Sequence, residues 1–289
     1  MKIAISTDTN SGITQEEAKS AGIYLLPMPV LIEEQMYLEG IQIHSSQLYE
    51  AMEQHQAIST SQPSPGQVME LWDSILQDGF DEIVYIPMSS GLSGSCQNAA
   101  LFAADYDGKV QVVDNHRISV TQRESVYSAL KLAQRGMRAK EIKDYLEARA
   151  FDASIYISVD SMEYLKKGGR ITPAVAAFAT VLNLKPVLTI QGDKLDTFAK
   201  ARGMKQAEEK MLEALKADRV TRFADVPDDQ LQVETAGTLA DEEMAEKWRQ
   251  RVQQEFPNIP VAYVQLPCSI ASHVGINAIG SGIIKKSVV

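Results

Sequence analysis

Short β-rich runs alternate with helix-length amphipathic stretches through the first half of this chain. That alternation restricts it to βαβ units around a mostly parallel sheet. Strands are predicted at Lys2–Thr7, Glu82–Pro87 and Val110–Asp114. Helices are predicted at Thr14–Ala21, Ser45–His55, Pro65–Asp78, Gly94–Asp105, Ser119–Arg135 and Ala139–Ala150. Ile23–Ile32 reads as extended, broken by Pro27 and Pro29, and Met36–Ile43 reads as a hairpin turning at Glu39-Gly40.

The second half reads differently. A strand at Ala153–Val159 precedes a short helix at Ser161–Lys167 and a small-residue helix at Pro173–Leu182, with Thr172 as its cap. Pro186–Ile190 and Lys194–Ala199 flank Gly192-Asp193, a hairpin signal. Helix Met204–Ala217, strand Leu231–Gly237, helix Asp241–Phe256 and strand Val261–Leu266 follow, with Ala224–Gln230 as a surface loop. At 289 residues the chain is long enough for two domains. The boundary is expected within Phe151–Ser158, giving an N-terminal domain 1–155 and a C-terminal domain 156–289.

Hydrophobic residues make up 45% and charged residues 23%, which excludes a disordered chain. The net charge of −10 argues against a nucleic-acid partner, since phosphate backbones need clustered Lys and Arg. The first apolar run is interrupted at Ser6-Thr7-Asp8, unlike a signal peptide, and no apolar stretch has the length of a membrane span. The two cysteines, Cys96 and Cys268, cannot supply a disulfide framework or a four-ligand zinc site by themselves. A cytoplasmic, metal-free protein is expected.

Four stretches can carry chemistry. Ser59-Thr60-Ser61-Gln62-Pro63-Ser64-Pro65-Gly66 precedes a helix, where hydroxyls and free N–H groups form an anion site or simply a capped turn. Ser89-Ser90-Gly91-Leu92-Ser93-Gly94-Ser95 lies between a strand and the helix after it, where open α/β sheets bind ligands. It lacks the Lys of a phosphate-binding P-loop and the spacing of a dinucleotide loop. It departs from a nucleophile elbow because Ser95 stands where the second Gly belongs. Tyr164–Arg170 offers two adjacent glycines for close backbone approach or positive φ, and Arg170 to pair with an anion. Ser269–Gly280 places His273 in a Gly/Ser-rich setting, either as a structural residue or as a donor near an anion.

TSQPSPG, SSGLSGS, the strand end Val112–Asn115, EYLKKGGRI and HVG occur here in one order along the chain. Together they resemble the DegV family of bacterial fatty-acid-binding proteins over essentially the full length. The resemblance implies a two-domain α/β fold. Its N-terminal sheet is mostly parallel and Rossmann-like, its C-terminal sheet mixed or antiparallel, and a ligand lies between them. It implies a long-chain fatty acid as ligand and no cofactor. By position, Thr60, Ser61, Ser93, Gly94 and His273 would hold the carboxylate, and Ser90 and Arg170 would surround the head group or entrance. Arg202 would dock a fatty acid kinase with a dihydroxyacetone-kinase-like domain, which phosphorylates the acid for phospholipid synthesis. The protein would then have no catalytic residues of its own. The sequence departs from the family's H-x-G-P-G-A at His273-Val274-Gly275-Ile276-Asn277-Ala278, where Asn277 suits a left-handed turn.

Small residues in Ala174–Leu182 and the adaptable side chains of Met28, Met88 and Met162 would line an apolar pocket. Lys166, Lys167, Arg170, Lys194, Lys200, Arg202 and Lys205, where they converge, would form a positive face. Such a face suits a kinase, an acyl phosphate or transient contact with an anionic membrane. Two other readings remain. Ser93, Asp114 and His273 follow the chain order of an α/β-hydrolase triad acting on acyl esters. A lipid carrier or sensor without a kinase partner would show the same motifs.

Overall fold

The computed structural model describes residues 1–178 and 184–287. The first half runs β1 (Ile3–Asp8), α1 (Gln15–Ala21), β2 (Ile23–Leu26), β3 (Pro29–Ile32), β4 (Gln35–Leu38), α2 (Ser45–Glu53) and β5 (Ile58–Thr60). It continues through α3 (Pro65–Gln77), β6 (Glu82–Ile86), α4 (Ser95–Ala103), β7 (Val110–Val112), α5 (Ser119–Gln134) and α6 (Ala139–Glu147). The second half begins with β8 (Ala153–Ser158), α7 (Glu163–Gly168), α8 (Pro173–Phe178), β9 (Leu184–Ile190), β10 (Asp196–Arg202) and α9 (Met204–Val220). It ends with β11 (Leu231–Gly237), α10 (Glu242–Glu255), β12 (Val261–Gln265), α11 (Cys268–Val274) and β13 (Ile279–Lys285).

Among the described residues the strands form three sheets. The first, ordered β2-β1-β6-β7, is parallel throughout, as the βαβ alternation requires. Every residue of β6 is buried, and its period of two serves both faces. Val84 and Ile86 pack with Val126 and Ile142 of α5 and α6, whereas Ile83 and Tyr85 pack with Trp72 of α3. The second sheet, β10-β9-β8-β13-β11-β12, is mixed, with only the β11–β12 pair parallel. Tyr156 and Val187 face Met211 and Trp248 of α9 and α10. Ile157, Leu188 and Ala236 pack with Leu92, Ile118 and Val120 from the first half of the chain. β8 belongs wholly to this sheet, so the expected division between residues 155 and 156 falls inside a strand.

A third sheet, β4-β3-β5, fastens the halves together. Val30 of β3, with Ile43 and Leu48, packs on Cys268 and Ala271 of α11. The hairpin here turns at Glu33-Glu34, both with positive φ, and not at Glu39-Gly40 as the sequence suggested. The Glu33 carboxylate accepts the Ala57 N–H (2.7 Å) while Glu33 N–H donates to the Ala57 carbonyl (2.9 Å), so tertiary contacts hold a turn that lacks glycine. The C-terminal end of the helix expected at Pro173–Leu182, residues 179–182, lies outside the described residues. No helix among the described residues is long and apolar enough to cross a membrane.

Candidate functional site

A cavity of about 250 Å³ lies at the seam between the parallel and mixed sheets. This exceeds the ~150 Å³ of engineered apolar cavities that hold benzene. Its floor is the inward face of the mixed sheet, where Ile155 and Ile157 of β8 pair with Gly282 and Gly280 of β13. Gly280 lines the cavity without a side chain, and Val120 packs onto Gly282 beside it. A Cβ at Gly280 would stand 3.0 Å from the Tyr156 carbonyl, and one at Gly282 3.3 Å from Val120 Cγ2. The opposite wall includes Ile118 and Val120, with Leu165, Leu195 and Leu266 between. Met28 and Met88 line the cavity, while Met162 packs behind it. In the small-residue helix, Val175 is buried in the same cluster.

Thr60, Ser61, Ser93, Gly94, Arg170 and His273 converge on the polar end of this cavity. Thr60 closes β5, beside Val30 of β3, and His273 sits on α11. Thr60 Oγ1 and His273 Nε2 are 2.8 Å apart. Ser93 Oγ accepts the Ser95 N–H (3.1 Å), which leaves its own proton available to a ligand. Ser61 Oγ donates to the Gln62 carbonyl (3.2 Å). Arg170 donates through Nε to the Leu92 carbonyl (3.3 Å) and through a terminal nitrogen to the Gly168 carbonyl. Its guanidinium is thus steered by backbone.

Both glycines before Arg170 have separate reasons. Gly169 takes φ +67 and ends α7, its N–H returning to Leu165. Gly168 lies so close to the imidazole that a Cβ there would stand 2.3 Å from His273 Nδ1. Burial, then the charge of Arg170, push the His273 pKa down to about 4, so the ring is neutral at neutral pH. Its Nδ1 has no hydrogen-bond partner.

Two expected residues lie elsewhere. Ser90 does not line the cavity: its N–H donates to Asp114 Oδ1 (3.2 Å) and its carbonyl accepts from Gln97. Arg202 is exposed at the end of edge strand β10, with its N–H donating to Gln206 Oε1 (2.6 Å). Lys200 is exposed on the same strand, and the Phe198 ring meets Tyr156 (centroids 4.8 Å apart) where the pairing of β10 with β9 is bulged. In the basic set, Lys167 is ion-paired with Glu163 (2.7 Å). The hydrolase triad is not assembled. His273 Nε2 faces Thr60 and not Ser93, while Asp114 lies 4.0 Å from a different imidazole, His116 Nδ1.

The sequence reading missed a buried polar group beside the site. Glu39 accepts from Thr9 Oγ1 (2.5 Å), Ser269 N (2.9 Å) and Ser269 Oγ (2.8 Å). Asp8 accepts from the N–H groups of Met88 (2.9 Å) and Asn10 (3.0 Å) and from Gln122 Nε2 (3.0 Å). Burial raises the pKa of both carboxyls. Asn10 and Ser269 line the cavity, with Ser269 Oγ 2.9 Å from Asn10 Oδ1. Ser119, at the start of α5, also lines it and holds φ +55, a left-handed conformation uncommon for serine. No motif marks Asn10 or Ser119. Gly280 and Gly282 were visible as glycines alternating with Ile279, Ser281 and Ile283. Among the described residues no group of three or more His, Cys, Asp or Glu side chains is placed to hold a metal.

The profile of the DegV family, described as "Uncharacterised protein, DegV family", matches residues 2–286. A DegV domain-containing protein of Deinococcus radiodurans is 35% identical over 72% of this chain and 74% of its own length. A solved structure described as showing fatty acid binding of a DegV family protein from Thermus thermophilus superposes with TM-score 0.87 at 29% identity, covering 99% of this chain and 100% of that one. The structure of DegV from Bacillus subtilis, described as a fatty acid binding protein, superposes with TM-score 0.87 at 26% identity and the same coverage.

Proposed function

This chain belongs to the DegV family, and on that premise we propose that it binds a long-chain fatty acid in the seam cavity and presents the carboxylate to a separate fatty acid kinase. The observation that carries the reading is an apolar cavity between two sheets that ends in a cluster of hydroxyl and imidazole groups, Thr60, Ser93 and His273. The fatty-acid binding described for the Thermus and Bacillus proteins supports it.

The energetics suit such a ligand. A tail of about 15 methylenes releases roughly 12 kcal/mol gross on burial, at ~0.8 kcal/mol each. Association and tail ordering take back several kcal/mol or more. The carboxylate needs donors to offset its desolvation. A neutral His273 bearing its proton on Nε2 donates to Thr60 Oγ1, which turns the threonine O–H outward to the acid. Ser93 supplies a second O–H, and each such bond to a charged acceptor is worth about 1.5–3 kcal/mol. Arg170 lends its charge, and with Nε–H spent on the Leu92 carbonyl the side-on fork through Nε is not open to the carboxylate. One oxygen then stays accessible to a phosphoryl donor. The edge strand with Arg202 is the surface we assign to kinase docking.

Native mass spectrometry of the purified protein, followed by solvent extraction, tests the reading. One long-chain fatty acid per chain is expected. An unliganded mass that does not shift with added palmitate or oleate refutes it.

A further inference from the structure

Ser89 opens the SSGLSGS loop, is fully buried, and uses every polar atom it has. Its N–H donates to the Arg117 carbonyl (2.8 Å), and its own carbonyl accepts the N–H groups of Leu92 (3.0 Å) and Ser93 (3.2 Å). Its Oγ accepts the Gly91 N–H (3.2 Å) and donates to the Gly192 carbonyl. A carbonyl only accepts, so the direction of this last bond is fixed. Gly192 comes from the other half of the chain. It sits at the tip of the β9–β10 hairpin, between Ile190 and Leu195, which line the cavity. The tip fits closely on the loop. A Cβ at Gly91 would stand 2.6 Å from Asp193 Cα, and one at Gly192, where φ is +94, would stand 2.7 Å from His116 Cβ.

Ser89 does not line the cavity, whereas Ser93, in the turn that Ser89 closes, does. The Ser93 hydroxyl has one anchor of its own, the Ser95 N–H (3.1 Å). The rest of its placement comes from that turn, and the turn is held against the hairpin. Resting on the fatty-acid reading above, we infer that Ser89 is a positioning residue for the carboxylate. Through its bond to Gly192 it fixes the Ser93 hydroxyl relative to the second half of the protein, which carries Arg170 and His273. Leu92 of the same loop is tied to that half by Arg170 Nε (3.3 Å). Both ends of the turn are thus held from across the seam. Removing the Ser89 hydroxyl leaves the Gly91 N–H and the Gly192 carbonyl without this partner, so the turn must move to satisfy them. A shift of about 1 Å takes a donor out of hydrogen-bond range.

The test is a double-mutant cycle on the delipidated full-length protein, read as the palmitate Kd by displacement of a fluorescent fatty acid. In Ser89→Ala the Kd is expected to rise about tenfold, the low end of what one donor to a charged carboxylate is worth. In a protein that already carries Ser93→Ala, the same change is expected to raise it by less than about twofold, because the group that Ser89 places is gone. A residue that merely holds the fold together costs the same in both backgrounds. Ser89→Cys keeps the shape and a weaker donor, follows the same pattern at about threefold, and decides the matter if Ser89→Ala does not fold. A Ser89→Ala protein that binds palmitate within about twofold of wild type overturns the inference, and so does an equal loss in both backgrounds. With palmitate bound by the wild-type protein, either result leaves the fatty-acid reading standing and removes only this one. A wild-type protein that binds no palmitate removes both.

Discussion

Replacing Gly168 by alanine should damage ligand binding while sparing the fold, and replacing Gly169 should do the reverse. The Cβ of Gly168→Ala would stand 2.3 Å from His273 Nδ1 and 3.3 Å from Cγ and Cε1. Ordinary contact begins near 3.4 Å, so the imidazole must move about 1 Å, and the 2.8 Å contact with Thr60 does not survive a shift of that size. Losing one donor to a charged carboxylate costs about 1.5–3 kcal/mol, roughly a 10- to 150-fold rise in Kd. Stability changes little, because alanine is favoured over glycine in a helix by about 0.5–1 kcal/mol, which offsets part of the crowding. At Gly169 nothing lies within 4 Å of the added methyl, but φ is +67. Gly169→Ala therefore strains the end of α7 by about 1–2 kcal/mol and lowers Tm by several degrees, with affinity retained. Displacement of a fluorescent fatty acid from each delipidated variant, together with thermal melts, separates the two effects. A Gly168→Ala protein that binds palmitate within threefold of wild type refutes the argument that this glycine exists to admit His273.

Other consequences are open to direct measurement. His273 titrates near 4 in the fold against an ordinary value of 6.5, so the unfolded chain binds more protons across that window. Its share of stability is complete above pH 6.5 and drains as pH falls to 4, on the order of 3 kcal/mol at full development. Melting curves of His273→Gln should be flatter than wild type over that range; parallel curves would contradict the burial argument. Asp8 and Glu39 act with the opposite sign, since their raised folded pKa values make their contribution greatest below the ordinary carboxylate range and progressively lost as pH rises. Arg202→Glu should slow kinase-dependent acyl phosphate formation at least tenfold and leave bound fatty acid unchanged; loss of the bound acid would sink the docking role.

The parallel sheet was legible because β1, β6 and β7 are short apolar runs separated by amphipathic helices, and that periodicity survives in the sequence. α11 and β13 were not, because small and polar residues in Ser269–Gly280 dilute both the 3.6 and the 2.0 repeat. β5 is three residues long and takes its identity from pairing with β3, a contact the sequence does not display. The turn at Glu33-Glu34 contradicts local preference and exists because Ala57 is there to hold it. The Ser, Thr and Gly loops of the site were recognisable since they combine at helix starts. Asn10 and Ser119 are single polar residues, and only the folded seam brings them to the cavity.

The same seam explains why the site is poor in charge. Desolvation lowers His273 and raises Asp8 and Glu39, so each of these titratable groups is biased toward its neutral form. Arg170 is the cation at the polar end, and its direction is set by the carbonyls of Leu92 and Gly168, one from each half of the protein. An incoming carboxylate thus meets one oriented positive charge and a set of neutral donors. Had His273 been protonated as well, two cations would have gripped the acid more tightly in exchange for burying a second charge. Keeping the imidazole neutral removes that cost and weakens the hold on the head group. The tail then supplies most of the affinity, and the reactive end of the ligand is left the less restrained one.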